Sequence, residues 1–132
     1  MKHPDWQKRL TDMIRAAEKR PFLWGQHDCC LFAADCVQAM CGEDFASSLR
    51  GTYDSANGAK RVLLTNGGTL EKVLACYLDE VPVKLAQRGD IAVVLSAGSR
   101  CAGVVFGGAV FVPGENGLVR MNVKPESVWR VR

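Results

Sequence analysis

Phe22-Leu23-Trp24-Gly25-Gln26-His27-Asp28-Cys29-Cys30-Leu31-Phe32-Ala33-Ala34-Asp35 is the stretch on which the reading of this chain turns. An aspartate stands directly before a run, Cys29 to Cys41, in which only Asp35 and Gln38 are polar, and Gly42 follows it. Aspartate is a favoured N-cap because its carboxylate accepts the unpaired N–H groups of a first helical turn. Glycine is favoured just past a helix end. The spacing therefore predicts a helix over 29–41, apolar on most sides and hence buried. Cys29 is its first residue, where free N–H groups and the positive end of the helix dipole favour thiolate. Thiolate is the form that attacks carbonyls and binds metals. Cys29 is thus the candidate nucleophile.

Outward from this helix, Trp6, Leu10, Met13, Ile14 and Ala17 make an apolar stripe that predicts a helix over 5–19, stopped before Pro21. Phe22 to His27 reads as an extended lead-in. Residues 43–53 read as a short helical turn and a loop, Leu49-Arg50-Gly51-Thr52-Tyr53. Helical periodicity returns at 56–65 and 70–78, with Thr69 as an N-cap. Beyond residue 80 the period shortens, and strands are expected at 90–95, 102–106, 109–112, 117–121 and 127–131. Gly114-Glu115-Asn116-Gly117 reads as a hairpin loop. Helices first and an antiparallel sheet second define an α+β fold. A single domain, 1–132, is expected.

The chain carries 17 basic and 14 acidic residues, a formal charge of +3, with no long run of one sign. Nothing here calls for nucleic acid. Residues 91–113 are mostly apolar but broken by four glycines, which suits buried strands better than a membrane span. The N-terminus has no apolar signal region, and a reducing compartment disfavours disulfides. The six cysteines contain no C-x-x-C pair, and neither histidine has zinc spacing. No metal and no cofactor is expected. Apart from Cys29, the cysteines read as small buried hydrophobes.

Three sets of residues carry a resemblance: Trp24-Gly25 before Asp28-Cys29, Arg88-Gly89-Asp90-Ile91 entering the sheet, and Gly103-Val104-Val105 on the next strand. Together they resemble the NlpC-type cysteine peptidases, papain-like hydrolases that cleave peptidoglycan stem peptides. With Leu49-Arg50-Gly51-x-Tyr53 and Val128-Trp129-Arg130-Val131 added, the chain is more similar to small phage and prophage proteins encoded among tail genes. The resemblance implies a papain-like fold with Cys29 as nucleophile. It also implies a histidine two residues before Gly103, where this chain has Cys101, and an orienting polar residue near Val112 or Pro113. Two of the three catalytic positions are thus empty. His27 is the one substitute base near Cys29, though an extended lead-in turns it away from the thiol, and His3 lies on an unpatterned terminus.

The expectation is a phage tail-tip or baseplate component with a degenerate NlpC-like site, acting in tail assembly or host entry. It would reside in the virion tail tip, and in the host cytoplasm before assembly. Its partners would be hub, fibre or tip proteins, met through Leu118 to Met121 or the C-terminal strand. The alternative is a cysteine endopeptidase or amidase acting on peptidoglycan. A redox or partial metal pair of Cys29 with Cys101 is a third reading. Asp28 is read as a cap, Asp35 as a partner for Arg50 or Arg61, Trp24 as core packing, and Asp90 as the cap of the turn before the sheet.

Overall fold

The computed structural model describes residues 1–132. Its centre is helix α2 (Cys29–Cys41), which begins at the Asp28 cap and ends at Gly42. Gly42 takes φ 85°, a left-handed conformation that a side chain would resist, and its N–H closes on the Gln38 carbonyl. Leu31, Phe32, Ala33, Ala34, Cys36, Val37 and Met40 are all buried, as a helix apolar on most sides requires. Helix α1 (Trp6–Ala17) packs beside it through Leu10, Ile14 and Ala17.

Helix α1 ends at Ala17, short of the expected 19. The Glu18 carbonyl accepts the N–H of Leu118, and the N–H of Phe22 donates to the Gly114 carbonyl. The lead-in is thus tied to the 114–118 hairpin rather than continuing the helix. Helices α3 (Ala56–Thr65) and α4 (Leu70–Ala75) follow, capped by Ser55 and Thr69. Residues 43–53 hold no helix; they are turns fixed by Arg50, which forms ion pairs of 2.8 Å with both Asp35 and Asp44.

Six strands form one antiparallel sheet in the order β1-β6-β2-β3-β4-β5. They are β1 (Leu78–Val81), β2 (Ile91–Ser96), β3 (Ser99–Phe106), β4 (Ala109–Gly114), β5 (Gly117–Met121) and β6 (Ser127–Val131). The first of these corrects the expected helix over 70–78. Arg132, at the end of β6, donates to the carbonyls of Ala75, Cys76 and Leu78 and pairs with Asp79 at 2.9 Å. A distant guanidinium therefore satisfies the end of α4, and Leu78 is released to pair with Val131.

The main core gathers α1, α2 and α4 against one face of the sheet, including Ile91, Val93, Ala102, Val104 and Trp129. Ala92, Val94, Val110 and Val112 form a second cluster, with Cys101, Val105 and Met121 packed on it. Buried Asp90 joins the turn to the sheet: it accepts the Gln87 N–H at 2.8 Å and a two-pronged contact from Arg130 at 2.9 and 3.0 Å. No helix is long and apolar enough to cross a membrane. The C-terminal strand β6 lies between β1 and β2, so it offers no free edge to a partner. Leu118 to Met121 lie on β5, which is an edge strand.

Candidate functional site

Asp28 organises the site. One carboxylate oxygen accepts the Leu31 N–H at 3.0 Å and caps α2. The other accepts the Gly25 N–H at 3.0 Å and the Tyr53 hydroxyl at 2.5 Å. The Gly25 carbonyl accepts the Gly51 N–H at 2.9 Å, so the Trp24-Gly25 and Arg50-Gly51-Thr52-Tyr53 segments are stitched together at the start of α2. A Cβ at Gly25, which has φ 78°, would collide with the Tyr53 carbonyl. The two motifs are therefore two sides of one structure, a link that spacing alone does not reveal. Asp28 is a cap, as read, and a hub as well.

Beside this hub lies a cavity of about 440 Å³ lined by Cys29, Cys30, Cys101, Trp24, Tyr53 and the 112–113 segment. Its outer wall is the apolar side of α3, with Ala59, Val62 and Leu63. Lys60 and Arg100 also border it, and Arg100 is paired with Glu71 at 3.0 Å. Trp24 is half-buried on the cavity wall, edge-on to Phe22 with ring centroids 4.7 Å apart, and so is not the core residue expected. The cysteines likewise divide: Cys36 is buried, Cys76 is exposed, and Cys29, Cys30, Cys41 and Cys101 are half-buried.

Cys29 and Cys101 meet. Their thiols share a hydrogen bond that pushes Cys29 up, helped by burial and the adjacent Asp28 carboxylate. The same bond holds Cys101 below the ordinary thiol range, against its own burial. The expected tilt of Cys29 toward thiolate is thus reversed. The facing Cys101 thiol, then burial, and last the Asp28 carboxylate outweigh the dipole of the helix start. Cys30 is pushed up to about 12, by burial first and then by Asp28. Burial, followed by the bond to Asp28, also pushes Tyr53 up, so its hydroxyl remains a donor.

His27 does not reach the thiol. Its backbone pairs with Leu23 in an isolated bridge, and its ring is buried edge-on to Phe32, with centroids 5.8 Å apart. Both ring nitrogens lack a hydrogen-bond partner, and the residue lies outside the cavity wall. His3 binds the far end of α2, donating its backbone N–H to the Met40 carbonyl. Val112 and Pro113 stand on the cavity wall with Cys101 and bring no polar side chain to it. Tyr53 and the α3 wall are the site components the sequence did not single out. Tyr53 was visible as part of a motif, but its role needs a contact across 25 residues.

The molecule is an α+β domain with a solvent-open cavity, at whose wall a helix-start thiol faces a strand thiol. The chain belongs to the family described as a domain of unknown function (DUF6950), whose model matches residues 1–131. No curated protein matches it.

Proposed function

We propose that this chain is a papain-like, NlpC-type domain with a degenerate hydrolytic site, working as a tail-tip or baseplate component of a phage in tail assembly or host entry. One observation carries the loss of hydrolysis: the residue facing Cys29 is Cys101. Amide cleavage by a thiol needs a base that takes its proton and returns it to the leaving amine, oriented by a third group. Here the facing group is itself a thiol, and Val112 and Pro113 supply no orienting side chain. The tail assignment rests on the resemblance of the 22–35, 49–53 and 128–131 motifs. The edge strand β5, with exposed Val119, supports it by offering backbone N–H and C=O groups to a partner strand.

The peptidase or amidase reading is favoured by one feature, the placement of Cys29 at a helix start beside an open cavity. It requires a base from a partner protein, since His27 lies outside the cavity. A single experiment separates the two readings. Wild type and Cys29→Ser are assembled with neighbouring tail proteins, and the particles are assayed for incorporation and for muropeptide release. Both proteins should enter particles, and neither should release muropeptides. Release that Cys29→Ser abolishes would establish the hydrolase, while failure to enter any particle would remove the tail role.

A further inference from the structure

We propose that Cys29 and Cys101 form a thiol–disulfide exchange site, reacting with low-molecular-weight disulfides to close a reversible cross-link between the start of α2 and strand β3. Both thiols border one cavity open to solvent where α2 packs on β3, close enough for each to act on the other's proton. The elements that carry them are held in place: α2 is enclosed by the core, and Cys101 lies in the part of β3 that pairs with β2, opposite Val94. Cys30 borders the same cavity but follows Cys29 directly in the helix, where successive side chains point about 100° apart. Cys36 is enclosed in the core. The inference stands independently of any tail role.

The chemistry closes without a further reactant. The Cys101 thiolate attacks one sulfur of a small disulfide such as oxidised glutathione, whose S–S bond breaks and releases one thiolate. Cys29 then loses its proton and attacks the Cys101 sulfur, and the mixed disulfide breaks to release the second small thiolate. The two protons from the cysteines end on the two small thiols. Two protein thiols are oxidised, and one small disulfide is reduced. Cys101 leads because it is the sulfur held toward thiolate, and the attacking form in such exchange is the thiolate.

The test uses the full reduced chain incubated with oxidised glutathione, quenched with acid, alkylated and mapped by peptide mass. Wild type should give a Cys29–Cys101 cross-link that excess reduced glutathione reverses, with Cys30 and Cys36 alkylated. Cys29→Ser should stall with glutathione on Cys101. Cys101→Ser should acquire glutathione at Cys29 on the order of tenfold more slowly than that. Wild type yielding only glutathione adducts, a cross-link through another cysteine, or no change at either residue would overturn the site. Equal rates in the two variants would overturn the order of attack.

Discussion

At the scale of single residues, the environment of Cys29 outweighs its position in the helix. The first residue of a capped helix gains from the dipole, but only about 0.3–1 kcal/mol at exposed sites. The Cys101 thiol, burial and the Asp28 carboxylate, in that order, all act on the same sulfur in the opposite sense. Iodoacetamide labelling followed residue by residue should therefore give a midpoint for Cys29 above the ordinary thiol value of about 8.5, and one for Cys101 below it. A Cys29 midpoint below that value would restore the activated nucleophile. Asp28 is the residue on which the most depends, since three donors converge on its carboxylate. Asp28→Ala should cost about 2–4 kcal/mol in urea unfolding, combining a lost cap with buried donors left unpaired. Tyr53→Phe, which removes one of the three bonds, should cost about 1 kcal/mol.

At the scale of elements, the sheet is set by close approaches and turns. A Cβ at Gly103 would come within 2.5 Å of Val110 Cγ1 and 2.8 Å of the Phe111 carbonyl oxygen. Gly103→Ala should therefore force β3 and β4 apart and cost about 1–3 kcal/mol, read from the denaturation midpoint at unchanged slope. Next to it, the β2–β3 hairpin turns through Ala97 and Gly98, both with positive φ, at 51° and 81°. Alanine pays for that left-handed conformation where asparagine adopts it readily. Ala97→Asn should raise stability by about 0.5–1 kcal/mol in the same assay. Helices α2 and α3, the caps Asp28 and Thr69, and the five later strands follow from local pattern. Strand β1 does not, because the guanidinium that ends α4 lies at the other end of the chain.

At the scale of the molecule, His27 couples folding to pH. It is fully enclosed, and neither ring nitrogen has a partner. Burial, then the Arg20 charge, holds its pKa below the ordinary 6.5, against the pull of Asp35 and Asp28. As pH falls through about 6.5, the unfolded chain takes up the proton before the folded one, so stability declines toward lower pH. Urea midpoints measured from pH 7.5 to 5 should fall for wild type and flatten for His27→Leu. An unchanged acid slope in the variant would assign the loss to other groups. Leucine should be tolerated at neutral pH, since it removes two unsatisfied buried atoms.

Sequence by itself determined what depends on near neighbours. Capping residues, apolar period and turn residues act within a few positions, so the boundaries of α2, the helix-then-sheet order and the strands from 90 onward were legible. So was the absence of a histidine two residues before Gly103. Only the tertiary structure decided what depends on residues far apart. It set Cys101 against Cys29, joined Tyr53 to Asp28, enclosed His27 away from the thiol, and placed β6 inside the sheet with β1 outside it. The reason is physical. Local pattern says which face of an element is apolar, but the partner for a polar or reactive group on that face is chosen by packing. The sign of the shift at Cys29 is decided by those partners.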